Sequence, residues 1–227
     1  MFSAILFDCD GVLVDSEILS LQVEIETLKE SGLHFEMNQF AGRFMGMHHT
    51  EYVAALDAVC LAETGQPLRS DYYARVTERC DRVWAESLTE VHGAAALISR
   101  LDTDLPKAVA SSSRLEPLRA KVAKTGLAPF FGEHVYSADQ VARGKPAPDV
   151  YLYAAERIGV APEACLVIED SANGVLAGLA AGATVWGFTG GSHAWPGHGD
   201  RLAEAGAHAV YSSWANVAEA LKIQVSA

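Results

Sequence analysis

Residues 4–17 read AILFDCDGVLVDSE, and this stretch indicates both the fold and the chemistry of the chain. Residues 4–7 form a short apolar run with the length of a buried strand, and Gly11 turns the chain soon after it. Asp8 and Asp10 therefore stand at the mouth of a predicted strand, where two carboxylates repel each other and are costly to bury unpaired. A hard cation such as Mg²⁺ would offset that cost.

Three further polar segments follow along the chain. They are residues 109–113 (VASSS), residues 144–149 (GKPAPD) and residues 167–171 (VIEDS), and they supply hydroxyls, an ammonium and a second acidic pair. The serines and the acidic pair end apolar runs, as Asp8 does. Together with Asp8 and Asp10, these groups meet the needs of cation-assisted phosphoryl transfer through an aspartyl-phosphate.

These segments closely resemble the four motifs of the haloacid dehalogenase (HAD) superfamily, and they occur in the same order. The resemblance is closest to the phosphatase and phosphomutase branch, which has a small helical cap inserted after the first strand. Residues 8–16 match the first motif without a gap, and residues 145–149 are typical of the third motif in this branch. An isolated Asp-x-Asp pair is weak evidence, but the ordered set from Asp8 to Asp170 spans most of the chain.

The resemblance implies a role for each aspartate of the first motif. Asp8 is the expected nucleophile, whose carboxylate attacks phosphorus and forms an aspartyl-phosphate. Asp10 is the expected general acid/base, which protonates the leaving oxygen and then activates water. The founding dehalogenases of the superfamily lack this second aspartate, because a halide leaving group needs no proton. Its presence here favours phosphate chemistry.

A magnesium site is the second implication of the resemblance. Its expected ligands are Asp8, the backbone carbonyl of Asp10, and one or both members of the acidic pair Glu169 and Asp170. We expect Asp170 to bind directly and Glu169 to bind directly or through water, because Mg²⁺ usually keeps several water ligands.

The expected phosphate-binding groups are hydroxyls and an ammonium. Ser111 ends the second long apolar run, and Ser112 lies where a helix opens and its first free N–H groups can receive an anion. The family pattern favours Ser111 as the hydroxyl that binds phosphate. Lys145 binds phosphate as a point charge from a loop stiffened by two prolines. Arg114 reaches either substrate or solvent and is a candidate for substrate specificity.

Strand-like and helix-like segments alternate over most of the chain, which predicts an α/β fold with a doubly wound parallel sheet of Rossmann-like type. The predicted strands are residues 3–7, 107–110, 134–136, 165–168, 184–188 and 209–211. The predicted helices between them are residues 94–101, 115–125, 149–158, 172–181, 200–205 and 215–221. Between residues 17 and 87 only helical patterns occur. We expect residues 1–16 and 88–227 to form the catalytic core and residues 17–87 to form a small α-helical cap.

The predicted cap contains a candidate specificity segment. Arg43, His48 and His49 surround Gly46, in a part of the sequence that we expect to be too polar and too glycine-interrupted for the apolar core of the cap. This branch of the superfamily commonly has a substrate-specificity loop there, so these residues are candidates for contacting the leaving group. Two other histidines, His193 and His198, lie in the glycine-rich segment 190–198, a long loop that follows a predicted strand on the active-site side. Either could line the pocket, but a surface loop is the favoured prediction.

Composition limits the partners and the compartment. The chain has 17 Lys and Arg against 29 Asp and Glu, a net charge of −12, and no basic stripe, which argues against a nucleic-acid or anionic-membrane partner. Its four cysteines show no Cys-x-x-Cys pair, which indicates free thiols in a reducing compartment. Without a signal-like N-terminus or an apolar run of roughly 18–20 residues, we expect a cytoplasmic protein, either a monomer or a small homo-oligomer.

The sequence favours a Mg²⁺-dependent phosphatase that acts on a small phosphorylated metabolite such as a sugar, sugar-acid or polyol phosphate. The alternative is a sugar phosphomutase similar to β-phosphoglucomutase. Such mutases typically carry threonine and then histidine where Ser16 and Ser20 stand here, and a cap-loop arginine near the position of His49. A second alternative is a catalytically silent binding protein on the same scaffold, which would be free to lose Asp8 or Lys145.

Overall fold

Six β-strands form one sheet. The computed structural model describes residues 2–44, 47 and 49–222, with the backbone alone at residues 49 and 50. The strands are β1 (Ala4–Phe7), β2 (Lys107–Ser111), β3 (Val135–Ser137), β4 (Cys165–Glu169), β5 (Thr184–Phe188) and β6 (Ala209–Tyr211). Their order across the sheet is β3-β2-β1-β4-β5-β6.

The strand order confirms the predicted doubly wound sheet. From β1 the chain moves outward through β2 and β3, then returns to the other side of β1 at β4 and continues through β5 and β6. Every neighbouring pair of these strands is parallel. The direction of winding therefore reverses between β1 and β4. In open α/β sheets, ligands bind outside the carboxyl ends of the strands at this reversal.

Helices flank the sheet and form the insert. Within the described residues they are α1 (Ser16–Lys29), α2 (Met37–Phe44), α3 (His49–Thr64), α4 (Tyr72–Ser87), α5 (Ala94–Ile98), α6 (Leu115–Lys124), α7 (Ala128–Phe131), α8 (Asp149–Arg157), α9 (Ala172–Ala180), α10 (His198–Glu204) and α11 (Trp214–Ala220). None of these helices is long and apolar enough to cross a lipid bilayer.

The side chains of β1 explain why helices cover both faces of the sheet. Ile5 and Phe7 belong to an apolar cluster shared with α5, α6, α7 and α11. Ala4 and Leu6 belong to a second cluster shared with α8, α9 and α10. Because successive side chains point to opposite faces of a strand, a strand that is apolar throughout must be covered on both sides.

The predicted helical insert folds around an apolar cluster of its own. Helices α1 to α4 bury side chains that include Leu28, Phe40, Leu56 and Tyr72 in this cluster. No strand occurs in the insert within its described residues. The insert follows the first strand, as expected, and it has a core separate from the two clusters that flank the sheet.

Helix α2 contradicts part of the expectation for the specificity segment. Phe40, Ala41 and Phe44 are buried on α2, so this end of the segment does form part of the insert's apolar core. The expectation is wrong because Phe40 and Phe44 are four residues apart and share one helix face, while Gly42 lies on the exposed face. Gly46, the centre of the predicted segment, lies outside the described residues.

Candidate active site

The predicted site residues meet at the carboxyl end of the three central strands. Asp8 directly follows β1, Ser111 ends β2, and Glu169 ends β4. Strands β2 and β4 both pair with β1, so these positions are neighbours in the sheet. A cleft of about 420 Å³ opens above them, lined by Asp8, Asp10, Glu17, Ser111, Ser112, Ser113, Lys145, Asp170, Ser171, Ala172, Asn173, His193, Trp195, His198, Arg201 and Leu202.

The turn after Asp8 depends on Gly11. Its φ of +76° lies in the left-handed region that favours glycine. A Cβ atom at Gly11 would lie 1.9 Å from Oδ2 of Asp170, which leaves no room for any other residue. The turn that carries Asp8 and Asp10 is therefore pressed directly against the Asp170 carboxylate.

Lys145 joins the two carboxylates at the ends of β1 and β4. Its ammonium donates to Oδ1 of Asp8 at 2.5 Å, to Oε1 of Glu169 at 2.6 Å and to the carbonyl of Ala110 at 2.9 Å. The side chains of Lys145 and Glu169 are 4% and 0% exposed. Burial alone would lower the pKa of Lys145, but Asp8 and Glu169 raise it well above its usual value. Lys145 is therefore a fixed positive charge beside Asp8.

Glu169 is held from several sides. Its Oε1 accepts from the Tyr151 hydroxyl at 2.7 Å as well as from Lys145, and its Oε2 accepts from the N–H and the hydroxyl of Ser171, each at 3.0 Å. A Cβ atom at Gly174 would lie 1.7 Å from Oε1 of Glu169, so this carboxylate also needs a glycine on α9. Because both oxygens already accept hydrogen bonds, Glu169 is less available than its acidic neighbours to a further partner.

Asp8, Glu169 and Asp170 form a cluster with the chemistry of a metal site. One carboxylate oxygen from each lies within 4.8 Å of the others. Burial raises the pKa of Asp8 well above its usual value, and Glu169 and Asp170 raise it further against the effect of Lys145. Burial also raises the pKa of Asp170, with Glu169 adding to the effect. Three buried carboxylates beside one ammonium leave an excess of negative charge, which an oxygen-seeking divalent cation fits.

Asp10 has a cationic partner that the sequence did not predict. The Lys121 ammonium, on α6, pairs with Oδ1 of Asp10 and lies 4.6 Å from the centre of the Trp84 ring. Asp10 also accepts from the hydroxyl of Ser113 at 2.7 Å and from that of Ser16 at 2.5 Å. Burial acts to raise the pKa of Asp10, but Lys121 and the two hydroxyls lower it below its usual value. The two aspartates of the first motif thus have separate lysines.

The serine segment lies over the same cleft. Ser111 accepts from the backbone N–H of Ser113 at 3.1 Å, and the Ser137 hydroxyl donates to the carbonyl of Ser113 at 2.6 Å. Ser112 is exposed and lines the cleft. Helix α6 begins directly after this segment, at Leu115, so its first turn is close to the cleft.

The histidines of segment 190–198 contradict the expectation of a surface loop. His193 and His198 are 4% and 3% exposed, and both line the cleft. Nε2 of His193 lies 3.1 Å from Oδ2 of Asp170, and Nε2 of His198 lies 2.6 Å from the backbone oxygen of Asp170. Burial lowers the pKa of His193, and it lowers that of His198 to about 4. The sequence placed the loop on the correct side of the sheet, but packing against Asp170 depends on the tertiary fold.

The specificity candidates are not brought together within the described residues. Arg43 is exposed on α2, with its guanidinium 5.3 Å from the centre of the Phe44 ring, and Arg114 is exposed just before α6. Neither is among the described residues that line the cleft. His49 begins α3, and His48 lies outside the described residues. These four specificity candidates, with Gly46, remain predictions.

Glu17 lines the cleft although the sequence did not single it out. It also lines a smaller cleft of about 210 Å³ in the insert, together with Glu24, Phe44 and Tyr52. Burial raises the pKa of Glu17 to about 7, and the charge of Asp10 adds to this shift. Its place directly after the first motif was the available signal. Glu17 thus borders both the cleft above the sheet and the smaller cleft in the helical insert.

Replacing Lys121 with methionine tests how much its ion pair with Asp10 contributes to stability. Lys121→Met leaves a buried carboxylate without its counter-ion, so we expect the free energy of unfolding to fall by about 3–5 kcal/mol at neutral pH. The pKa of Asp10 lies below its usual 3.8, so its paired form stabilises the fold above pH 3.8 and this stabilisation is lost in acid. The difference between variant and parent should therefore shrink in acid.

Urea unfolding at neutral and acidic pH measures this effect. The matched control is Lys124→Met, which removes an exposed lysine from the same helix. A loss for Lys121→Met no greater than that for Lys124→Met would show that the pair with Asp10 contributes nothing to stability.

Comparison with known proteins assigns the family. Residues 2–182 match the model of haloacid dehalogenase-like hydrolases. The chain belongs to this family. The sequence-based resemblance to the superfamily is thereby confirmed, and the cleft at the carboxyl end of β1 is the candidate active site of a HAD-like hydrolase.

Three proteins with similar sequences indicate where this hydrolase lies within the family. It is 29% identical to the 6-phosphogluconate phosphatase of Escherichia coli K12, with 84% of each chain covered. It is 33% identical to the hexitol phosphatase A of the same organism, over 79% of this chain and 80% of that one. A HAD family hydrolase from Deinococcus radiodurans R1, crystallised with bound phosphate and sodium, is 37% identical with a TM-score of 0.83, covering 97% of this chain and 95% of the other.

Proposed function

We propose that the protein is a Mg²⁺-dependent phosphatase of a small phosphorylated metabolite, such as a sugar, sugar-acid or polyol phosphate. The observation that carries the proposal is the buried cluster in which Lys145 contacts both Asp8 and Glu169, within reach of Asp170. This cluster unites a nucleophile, an ammonium and an acidic pair at one cleft. The phosphatase relatives support the substrate class.

The proposed reaction has two steps, in which Asp8 is the nucleophile and Asp10 is the general acid/base. In the first, a carboxylate oxygen of Asp8 forms a bond to phosphorus while the bond to the leaving oxygen breaks, and Asp10 gives its proton to that oxygen. In the second, water attacks the aspartyl-phosphate and Asp10 takes a proton from it. Inorganic phosphate leaves and Asp8 is regenerated. Asp8 lies beside Lys145 and Asp10 pairs with Lys121, so the two carboxylates have distinct surroundings. Because Lys121 and the hydroxyls of Ser113 and Ser16 lower the pKa of Asp10, Asp10 must take up a proton before it can act as the acid.

The residues proposed to hold Mg²⁺ are Asp8, Asp170 and the backbone carbonyl of Asp10, with Glu169 acting through water. Both oxygens of Glu169 already accept hydrogen bonds, which favours the indirect role. Bound Mg²⁺ supplies positive charge that offsets the repulsion between Asp8 and the phosphate. Lys145 supplies a second positive charge from this chain, and its contacts with Asp8 and Ala110 keep it beside the reacting groups.

The proposed phosphate-binding groups are Ser111, Ser112 and Lys145. All three line the cleft, and helix α6 begins at Leu115, directly after the serine segment. The relative from Deinococcus radiodurans was crystallised with phosphate, which supports an anion site in this fold.

We propose that residues 17–87 act as a cap over this cleft and that residues 1–16 and 88–227 form the catalytic core. The position of Glu17, which lines a cleft on each side, supports this arrangement, as does the contact of Trp84 with Lys121. The leaving group would then extend toward the insert, where Arg43, His48 and His49 are the proposed specificity residues. Closure of a cap excludes water and positions the reacting groups.

A phosphate-release screen tests the proposed function. The protein is incubated with Mg²⁺ and a panel of sugar, sugar-acid and polyol phosphates, and inorganic phosphate is measured with and without EDTA. We expect release from at least one of these classes, loss of release in EDTA, and loss in Asp170→Ala. Conversion of a sugar phosphate to its isomer without net release would favour the phosphomutase. No turnover of any member would contradict both enzymes.

A further inference from the structure

Two histidines of the segment from Thr189 to His198 contact Asp170. We call His193 and His198 together the histidine clamp. Nε2 of His193 lies 3.1 Å from Oδ2 of the Asp170 side chain, and Nε2 of His198 lies 2.6 Å from the Asp170 backbone oxygen. A carbonyl oxygen can only accept a hydrogen bond, and so can an ionised carboxylate. Nε2 of His198 must therefore carry its hydrogen and donate it to the Asp170 carbonyl, and Nε2 of His193 is placed to donate to Oδ2 when Asp170 is ionised.

His193 is fixed by close packing on both sides of its ring. A Cβ atom at Gly11 would lie 2.6 Å from Cε1 of His193, and one at Gly191 would lie 2.7 Å from Nδ1. The ring therefore fills the space between the turn that follows Asp8 and the start of its own loop. His193 is 4% exposed, so its contact with Asp170 is shielded from bulk water.

The clamp is itself anchored to the first motif and to a stacked aromatic pair. The backbone N–H of Ser192 donates to Oδ1 of Asp15 at 2.9 Å, and the Ser192 hydroxyl donates to the same carboxylate. Trp195 stacks on the His198 ring, with ring centres 3.9 Å apart and planes 8° apart. These contacts limit the positions that both imidazoles can adopt.

We propose that His193 is a positioning residue of the metal site, which holds Oδ2 of Asp170 so that Oδ1 is directed to the cation, while His198 fixes the backbone of the same residue. The inference rests on the proposed function, since it takes Asp170 to be a metal ligand. A metal-binding carboxylate whose second oxygen is held by a fixed donor needs less ordering when the cation binds, and loss of such a partner typically lowers metal affinity. The four sequence motifs contain neither histidine.

Binding of Mn²⁺ to the full chain without substrate tests the clamp. Free Mn²⁺ gives a sharp electron paramagnetic resonance spectrum that broadens on binding, so a dissociation constant is obtained without measuring activity. His193→Phe keeps a ring but removes the donor, and we expect it to weaken Mn²⁺ binding by roughly 10–100-fold. His193→Gln restores a side-chain N–H, and we expect it to recover most of the affinity.

Three controls separate the possible outcomes. His134→Phe makes the same substitution at a half-buried histidine before β3, at the opposite end of the sheet, and should leave binding unchanged. Circular dichroism checks the fold of each variant, and His193→Leu replaces His193→Phe if the phenylalanine cannot be accommodated. Asp170→Ala tests the site itself and should abolish tight binding.

Parent-like Mn²⁺ affinity in the folded variant without the donor would overturn the clamp. Equal weakening in His193→Phe and His193→Gln would overturn the hydrogen bond as its basis. Parent-like affinity in Asp170→Ala would instead overturn the assignment of Asp170 as a metal ligand, which is a failure of the proposed function and not of the contact between His193 and Asp170.

Discussion

Asp8→Asn is expected to reduce turnover by roughly four to six orders of magnitude, as found when a nucleophile is removed from a catalytic unit that acts together. Asparagine keeps the shape of the side chain but removes the charge that attacks phosphorus. It can still accept a hydrogen bond from Lys145, which contacts Oδ1 of Asp8 at 2.5 Å, so the fold should remain intact. Phosphate release under saturating substrate measures the effect.

Detection of the covalent intermediate makes this test specific. Parent protein quenched in acid during turnover should carry one phosphoryl group on the peptide that contains Asp8, as seen by mass spectrometry. The same peptide from Asp8→Asn should carry none. The control is Asp104→Asn, which changes an exposed carboxylate before β2 that does not line the cleft. Substantial turnover by a pure sample of Asp8→Asn would rule out the covalent mechanism.

Asp10→Asn is expected to show a loss that depends on the leaving group. An alkoxide must be protonated as it departs, whereas p-nitrophenolate is stable without a proton. We expect kcat/KM to fall roughly 10²–10⁴-fold for a sugar or polyol phosphate and much less for p-nitrophenyl phosphate. The parameter kcat/KM includes only the steps through formation of the aspartyl-phosphate, so the second step does not obscure the comparison.

The surroundings of Asp10 determine how this experiment is controlled. Asp10→Asn also leaves the buried Lys121 without its counter-ion, so the variant is assayed well below its unfolding temperature. The measurement is the ratio of the two losses in kcat/KM, because a general disturbance of the site lowers kcat/KM for both substrates alike. Equal losses for both leaving groups would therefore remove Asp10 from the role of acid, whatever the absolute rates.

Local sequence patterns were sufficient to predict the strands of the sheet and where each strand ends. Residues 184–188 and 209–211 match β5 and β6 at both ends, and the other strands differ from prediction by one residue at an end or by a shift of one residue. Parallel strands that are buried on both faces give continuous apolar runs, and the polar residue that ends each run marks its carboxyl end. Asp8, Ser111 and Asp170 could therefore be assigned to one edge of the sheet from the sequence alone.

Short or partly polar helices were harder to predict from the sequence. Helix α7 has four residues, too few to show a helical period, and α2 alternates apolar residues with Asn38, Gln39 and Gly42. Two phenylalanines on one face of α2 outweigh these polar residues once the insert has an apolar cluster to cover. Helix formation there depends on packing more than on local preference.

The sequence alone determined the alternation of strands and helices, the motif residues at the ends of the strands, and the family. The tertiary structure alone decided the partners of those residues: Lys121 pairs with Asp10 from 111 positions away, and His193 contacts Asp170 from another loop. The physical reason is that hydrophobic periodicity and strand ends are local properties of the chain. The pairing of a buried charge depends on which distant side chain the packed helices and loops bring within hydrogen-bonding distance.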